Sequence, residues 1–429
     1  MIVEIITDCE MENEISKKQS YPTNISSSQS VKLLFLLVSV VFLIMPIFGI
    51  IYSTIIVFLD RTHNKKDLFF LFILLSLYMG GINATKIPAS DQIQYMNAYL
   101  QVPHQSFIES LTNIYGDPTR STYKEMGYGL LNFIGYYLSF GNYKLFIVEF
   151  SVLLYMLMMV SIYKFFSILK VRPLTSYVVS AVFILCFFSQ YFNLTIHLQR
   201  QMIAVSVMLW AIVDVTIKQK VNWIIPLFAV TLHTSVALFL PFFMLIYIRN
   251  RLKMWHIFAL LVIFCFIMGL LSTIFSAFST ILGIGIYGIE RLANAGTSAE
   301  TRFDSKIVIL FSLPLIYISI RELWVQRKEI RHRVNLLFIM YCILICFSYL
   351  NPDNTMQYRY FMISYSFMPF ILPLLFLRMR KFSQLYLFSI STFLILRFYF
   401  TFKDIGWDYA PVYDVLLQNY IGLLLCKII

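Results

Sequence analysis

LFIVEFSVLLYMLMMVSIYKFFSIL, residues Leu145 to Leu169, is long and apolar enough to cross a lipid bilayer as a single α-helix. The rest of the chain has the same character. Hydrophobic residues occupy 59% of its 429 positions, charged residues occupy 13%, and the mean hydropathy is +0.75. A soluble globular chain carries roughly 25% charged residues and has no core that could bury this much apolar surface. The composition therefore indicates a membrane protein and excludes a soluble enzyme.

Apolar segments of spanning length recur along the chain. They are Val31 to Leu59, Leu68 to Ala84, Leu145 to Leu169, Leu174 to Phe192, Met202 to Ile217, Trp255 to Phe275, Ile307 to Ile320, Val334 to Tyr349, Phe361 to Leu377 and Phe382 to Thr401. Trp223 to Ile248, interrupted at His233 and Pro241, is predicted to form two shorter helices. Because backbone in lipid must satisfy its own hydrogen bonds, the segments are expected to be helices. The prediction is an all-α polytopic domain, residues 31–401, with about 11–13 transmembrane or membrane-dipping helices.

The basic residues predict how these helices are oriented, since Lys and Arg are enriched in short cytoplasmic loops. They cluster at residues 61–66, 170–172, 218–220, 249–253, 321–333 and 378–381. All six clusters share one side only if Gly127 to Phe140 does not cross the membrane. That stretch is 14 residues long and is followed by Gly141, so we expect it to lie on or dip into the outer face.

This orientation assigns a side to the remaining segments. The polar residues 1–30 form an outward tail, residues 85–143 and 276–306 form outward loops, and residues 402–429 are outward-facing or membrane-associated. The tail has no apolar core of a cleavable signal, so the spanning helices are expected to direct insertion. The net charge of +12 then reflects loops that anchor at the cytoplasmic face. No nucleic-acid partner is predicted.

Motifs for cofactor or metal chemistry are absent from the sequence. It contains no Gly-rich phosphate loop and no dinucleotide-binding fingerprint, and its six cysteines lack the spacing of a metal site or a disulfide framework. We therefore predict no cofactor and no metal, and we expect no nucleotide hydrolysis.

The outward loop that begins near Thr85 carries a first group of candidate residues. Asp91, Tyr95 and Tyr99 follow one another at a spacing of four residues, which places them on one stripe of a helix. Tyrosines at this depth are also common as an interfacial aromatic belt. With a carboxylate leading the stripe, the same pattern favours sugar binding, in which rings stack on pyranose faces and the acid holds hydroxyl groups.

Two titratable residues on the predicted outer side are candidates for acid–base chemistry. Glu125 precedes a short apolar stretch, where an acid either stabilises a helix N-terminus or does chemistry. His233 interrupts an apolar stretch, and membrane proteins tolerate such a break where backbone lines a polar cavity. A lone histidine is either a satisfied structural group or a catalyst.

Arginines on the outer side have no positive-inside explanation and therefore suggest function. Arg200, followed by Gln201, and Arg359 each stand at the outer start of a predicted span, and Arg302 lies in the later outward loop. Snorkelling to lipid phosphates is the structural alternative. Several guanidinium groups around one cavity would suit a diphosphate, because their planar donors match phosphate oxygens in pairs.

Four short motifs carry a family resemblance: Asp91-x3-Tyr95-x3-Tyr99, Glu125-x-Gly127-Tyr128, Arg200-Gln201-x2-Ala204 and Leu232-His233-Thr234-Ser235. In this order the chain resembles the EpsG-like family of bacterial polysaccharide polymerases, which includes many O-antigen polymerases (Wzy proteins). The resemblance covers about residues 60–248 well, and the C-terminal half only through its hydrophobic layout. Met126 departs from the family, which commonly has proline there.

The resemblance implies an inner-membrane enzyme related to the multi-spanning lipid-dependent glycosyltransferases. Such an enzyme joins undecaprenyl-diphosphate-linked oligosaccharides at the periplasmic face, among membrane lipids, with a polysaccharide chain-length regulator as a further partner. Charge then suggests roles for the candidates. Arg200, Arg359 and, more weakly, Arg302 bind the diphosphate; Asp91, Glu125 or His233 is the base; and Tyr95, Tyr99 and Gln201 contact sugar.

Two other functions compete with this hypothesis. A flippase for the same lipid-linked sugars would need cations deep within its spans, whereas only Lys164 and Arg397 lie well inside one and both are near ends. A membrane acyltransferase that decorates the polysaccharide would use a histidine and a carboxylate, but it needs cytoplasmic access for its acyl donor, and the cytoplasmic loops here are short. The crowding of polar residues on one face favours the polymerase.

Overall fold

The structure is a computed structural model that describes residues 26–59, 65–89, 91–114, 125–244, 337, 340–341, 344–345, 360–374, 382–400 and 409–425. All regular secondary structure within these ranges is helical, which confirms the predicted all-α fold. The predicted spans at residues 255–275 and 307–320 lie outside the described residues, as does most of the span predicted at residues 334–349.

The helices, in chain order, are α1 (Ser26–Ile44), α2 (Pro46–Leu59), α3 (Lys65–Ala84), α4 (Asp91–Gln101), α5 (Phe107–Thr112), α6 (Met126–Leu138), α7 (Tyr143–Leu169), α8 (Leu174–Phe187), α9 (Ser189–His197), α10 (Gln199–Lys218), α11 (Ile224–Leu232), α12 (Leu240–Phe243), α13 (Met368–Ile371), α14 (Ser383–Phe400), α15 (Val412–Leu417) and α16 (Tyr420–Leu425). Short 3-10 turns lie at Val102–His104, Thr234–Phe239 and Tyr365–Phe367. Among the described helices, α3, α7 and α10 are each long and apolar enough to cross a membrane, and the bent pair α8–α9 adds a fourth span if it is counted as one.

The first predicted span, Val31 to Leu59, is divided in the structure. The helix ends at Ile44 and a new one begins at Pro46, because proline lacks an N–H donor and its ring obstructs the preceding turn. A Cβ added at Gly49 would lie 2.6 Å from the Cα of Phe42, so the two helices meet at a point where only glycine fits. The prediction of one continuous span was therefore wrong here.

The predicted span Leu174 to Phe192 is also broken. Phe188 takes an extended ψ of 100°, and α8 and α9 are bent by 59° about it. Helix α9 then runs on to His197, and α10 begins at Gln199. The bend turns the chain so that Arg200 enters the bundle in the first turn of α10.

Buried polar contacts tie three helices together at one end of the bundle. The side-chain amide of Asn83, at the end of α3, donates to the hydroxyl of Ser151 on α7 over 3.1 Å and to that of Thr195 on α9 over 3.2 Å. The C-terminal end of α3, the first turns of α7 and the end of α9 therefore lie on the same side. We call this side the Asn83 end of the bundle.

The C-terminal helices pack back along α3. The Tyr420 hydroxyl donates to the Leu77 carbonyl over 2.9 Å, and the Tyr420 ring covers Gly81. Nearby, the Ala410 amide donates to the Thr85 hydroxyl over 3.3 Å. The sequence left the path of residues 402–429 open, and the described part of this segment packs along α3.

Candidate functional site

The centre of the site is the carboxylate of Glu125, immediately before α6. Glu125 occupies the N-cap position, but its side chain makes no capping hydrogen bond. Instead, Oε2 accepts a hydrogen bond from Arg200 Nη1 and forms an ion pair with it. Only 9% of the Glu125 side chain and 8% of the Arg200 side chain are exposed. The pair is therefore desolvated, which strengthens its attraction.

The second oxygen of Glu125 faces the break after α11. The Thr234 backbone amide donates to Oε1 over 3.4 Å, and His233 Nε2 lies 3.7 Å from the same oxygen. His233 has extended backbone angles, φ −160° and ψ 129°, which confirms the predicted interruption of the helix at this residue. The break exposes the Thr234 amide and aims the imidazole at the carboxylate.

The hydrogen bonds of His233 fix its tautomer. Nδ1 accepts from the Ser235 backbone amide over 3.2 Å and lies 2.8 Å from the Ser235 hydroxyl. An imidazole nitrogen that accepts from an amide is unprotonated, so the neutral ring carries its proton on Nε2. His233 therefore presents an N–H donor to Glu125, not a lone pair.

Two glycines let α6 approach its neighbours closely enough to build this arrangement. A Cβ added at Gly127 would clash with the Thr231 hydroxyl of α11, and one at Gly129 would clash with the Leu111 carbonyl of α5. Glycine alone avoids both clashes. The sequence Glu125-Met126-Gly127-Tyr128-Gly129 therefore places the carboxylate beside the end of α11.

Aromatic side chains cover the guanidinium of Arg200. Its central carbon lies 5.1 Å from the centre of the Tyr95 ring, a cation–π contact. Tyr95 in turn packs edge-on against Tyr128, with 5.6 Å between ring centres. The Tyr128 hydroxyl donates to Gln199 Oε1 over 2.8 Å. These contacts join α4, α6 and the start of α10.

Burial controls the protonation of the two tyrosines. Loss of solvation raises the pKa of Tyr95 and that of Tyr128, and the positive charge of Arg200 only partly opposes the shift. Both phenols therefore stay protonated at neutral pH. They can donate hydrogen bonds but do not act as bases.

The other predicted site residues are distributed unevenly. Asp91 begins α4, one turn before Tyr95, and its charge contributes to the raised pKa of Tyr95. Tyr99 is fully buried, with its hydroxyl hydrogen-bonded to that of Ser139 and its ring stacked on Phe146 at 4.7 Å. The predicted stripe therefore splits, with Tyr95 at the ion pair and Tyr99 in a separate aromatic cluster.

The predicted roles of the site residues all remain predictions, including those of Gln201, Arg302 and Arg359. Gln201 is buried next to Arg200 on α10. Arg302 and Arg359 lie outside the described residues.

Sequence reasoning quoted Tyr128 and Thr234 in its motifs but gave no role to the Tyr128 hydroxyl or to the Thr234 amide. Tyr128 had a detectable signal, since it follows Glu125 by one helical turn. The Thr234 amide had no such signal, because every residue except proline carries a backbone N–H.

The assembled groups suit transfer from a donor with an anionic leaving group to a hydroxyl acceptor. A buried guanidinium binds phosphate or carboxylate oxygens, and a carboxylate can accept a proton from a hydroxyl. Within the described ranges, no three His, Cys, Asp or Glu side chains group closely enough to hold a metal ion.

Comparison with known protein families shows where this chain belongs. The model of the EpsG family matches residues 66–412, which includes the ion pair, the histidine break and most of the C-terminal half that carried only a general resemblance. No curated protein and no solved structure matches the chain significantly.

Proposed function

Since this chain belongs to the EpsG family, and so has a polysaccharide polymerase-like role in a membrane, we propose a specific reaction for it. The protein transfers a growing glycan from undecaprenyl diphosphate onto the non-reducing sugar of an incoming lipid-linked repeat unit. The reaction takes place at the periplasmic face of the bacterial inner membrane, which is the side to which the basic-residue pattern assigns the Asn83 end.

The buried Glu125–Arg200 pair with His233 beside it is the observation that carries this proposal. In the reaction, the bond between the anomeric carbon and the diphosphate oxygen breaks, and its electrons leave with the diphosphate. An acceptor hydroxyl oxygen forms the new glycosidic bond and loses its proton. The chemistry therefore needs a cation at the leaving group and a base at the hydroxyl.

Arg200 is the described cation for the leaving group, with Arg359 and Arg302 as predicted partners. Glu125 is the preferred base. His233 is less suited, because its Nδ1 accepts from Ser235 and its Nε2 carries the proton. Asp91 is the second candidate, one helical turn from Tyr95. Tyr95 contacts Arg200 through its ring, and the sugar contacts of Tyr95, Tyr99 and Gln201 stay predictions.

The distribution of charge supports a polymerase over a flippase. Lys164 of α7 lies over the Trp210 ring at 4.6 Å, near the end of α7 that is remote from Asn83. The described polar groups of the site gather at the opposite end. A flippase would be expected to offer charge along the whole path.

The test is the surface polysaccharide of a deletion strain complemented with wild type, Arg200→Ala, Arg359→Ala or Glu125→Gln at equal membrane expression. We expect the deletion strain to leave lipid A core with a single repeat unit, and the three variants to fail to restore the ladder of longer chains. Glu109→Gln is the matched control, because Glu109 is an exposed acid in a capping box with Ser106 that glutamine preserves. Loss of even the single unit in the deletion strain would instead indicate a flippase.

A further inference from the structure

Arg200, the cation that the proposed function assigns to the diphosphate, is already paired with a carboxylate. Arg200 Nη1 contacts Glu125 Oε2 directly, and this is the residue that serves as base in the proposed function. We propose that Glu125 and the donor's diphosphate compete for Arg200, so that donor binding releases Glu125 Oε2 to accept the acceptor's proton. This inference rests on the proposed function and specifies how its site is switched on.

Burial makes Arg200 dependent on a counter-ion. A guanidinium as enclosed as that of Arg200 is costly without a counter-ion, and Glu125 supplies one when no substrate is bound. A phosphate group offers oxygens that match guanidinium donors as a carboxylate does, and it carries more charge. The diphosphate can therefore replace Glu125 while Arg200 stays neutralised.

The carboxylate keeps its position after the exchange. Its other oxygen, Oε1, lies 3.4 Å from the Thr234 amide nitrogen and 3.7 Å from His233 Nε2. The Thr234 amide donates to Oε1, and the imidazole of His233 faces the same oxygen. Only Oε2 is freed, and it is freed next to the diphosphate that displaced it.

Protons and electrons balance in this sequence. The acceptor hydroxyl gives its proton to Glu125 Oε2, and its oxygen bonds to the anomeric carbon. The bond from that carbon to the diphosphate oxygen breaks, and Arg200 holds the charge that develops there. Without donor, Oε2 remains occupied by Arg200, so neither water nor an acceptor sugar is activated.

Binding of farnesyl diphosphate to the purified full-length protein tests the competition. If Glu125 competes for Arg200, then Glu125→Gln should tighten binding roughly tenfold, the equivalent of one charge-assisted hydrogen bond. The same variant should lose polymerisation. Farnesol, which lacks the diphosphate, should bind wild type and Glu125→Gln equally, and inorganic pyrophosphate should compete with farnesyl diphosphate in both proteins.

Three variants complete the experiment. Glu109→Gln should bind as wild type does. Glu125→Asp retains the charge on a shorter side chain and should bind farnesyl diphosphate with intermediate affinity, which keeps the test decisive if Glu125→Gln folds poorly. Arg200→Ala should lose binding.

The outcomes separate the two proposals. Weaker or unchanged binding in both Glu125 variants, with binding lost in Arg200→Ala, would overturn the competition and leave the proposed function standing. Normal binding and normal polymerisation by Arg200→Ala would overturn the diphosphate site itself. Tighter binding in the Glu125 variants, dependent on the diphosphate, is the result that the competition requires.

Discussion

Glu125 and Arg200 are separated by 75 positions in the sequence and meet as a buried ion pair. The contact joins the start of α6 to the first turn of α10. It also gives each residue a partner that its own helix does not provide, since the Glu125 side chain forms no cap on α6. The pair is thus a tertiary feature, and the proposed chemistry of the site depends on it.

A double-mutant cycle should reveal strong coupling within this pair. Either Glu125→Gln or Arg200→Gln leaves one buried charge uncompensated, which typically costs about 3–5 kcal/mol. The double variant removes both charges and should lose less than the sum of the two, with a coupling energy of about 1–3 kcal/mol. Unfolding in detergent measures this, and additive losses would contradict a direct interaction.

The two nitrogens of His233 can be replaced separately. His233→Gln places an amide N–H near the position of Nε2, whereas His233→Asn places an acceptor near that of Nδ1. Because Nε2 lies 3.7 Å from Glu125 Oε1, we expect Asn to lower kcat by about tenfold, through the loss of this polar contact with a carboxylate, and Gln to lower it less.

Steady-state kinetics with a lipid-linked donor separates this role from general loss of structure. KM for the donor should stay near the wild-type value in both His233 variants, since Arg200 is untouched. If Asn were the milder substitution, the bond from Ser235 to Nδ1 would be the important one.

Tyr95 should act through its ring. Tyr95→Phe keeps the aromatic face over Arg200, which lies 5.1 Å away, whereas Tyr95→Leu removes it. We expect Leu to weaken farnesyl diphosphate binding by about 1–2 kcal/mol, the range of a desolvated cation–π contact, and Phe to do so by much less. Tyr99→Leu is the control, because the Tyr99 ring stacks on Phe146; a change in binding there equal to that of Tyr95→Leu would refute the distinction.

Gly127 should tolerate no side chain. Gly127→Ala would place a methyl group against the Thr231 hydroxyl and backbone, forcing α6 away from α11 and Glu125 away from His233. An overpacked site of this kind costs about 1–3 kcal/mol, and polymerisation should fall with it. Gly80→Ala is the comparison, since its nearest neighbour would be 3.1 Å away. Equal melting temperatures for the two variants would argue against the close approach.

Lys86 should make stability depend on pH. The residue is 2% exposed, and burial lowers its pKa to about 8 from an unfolded value of about 10.4. Below about pH 8 the amine is charged in both states, and folding bears the cost of burying that charge. Between about pH 8 and 10.4 the unfolded chain binds more protons, so folded stability rises with pH.

Comparison with Lys86→Met isolates this effect. The melting temperature of wild type minus that of Lys86→Met should increase as the pH is raised from about 7.5 to 10. Lys144→Met, at a partly exposed lysine in the first turn of α7, provides the control and should show no such trend. A difference that falls with rising pH would show that the pKa of Lys86 is raised, not lowered.

Sequence patterns predicted much of the fold because lipid leaves few alternatives. The spans that became α3, α7 and α10 follow from apolar length alone, and the break at His233 follows from the polar interruption of an apolar stretch. The bend at Phe188 had only a slight signal, the polar pair Ser189-Gln190 that directly follows it in a mostly apolar stretch. The packing of the neighbouring helices decides where a bend of this kind occurs.

For the site, the sequence identified the residue types and not their partners. The sequence predicted Glu125 as a base and Arg200 as a diphosphate-binding residue, two separate roles. The structure shows that the two side chains are in contact. Tyr95 and Tyr99 share one stripe of α4, yet one contacts Arg200 and the other packs against Phe146. Helical periodicity predicts which residues share one face of a helix. It does not predict the neighbouring helix, and two residues four positions apart on one face can pack against different helices.

By itself the sequence determined that this is a helical membrane protein and which helix ends carry its polar residues, because the cost of exposing backbone and charge to lipid acts on each segment separately. The tertiary structure decided that Glu125, Arg200 and His233 form one centre, because a contact between distant segments depends on close approach at Gly127 and on the turn of the chain at Phe188. Those are properties of helices packed together, and no single segment contains them.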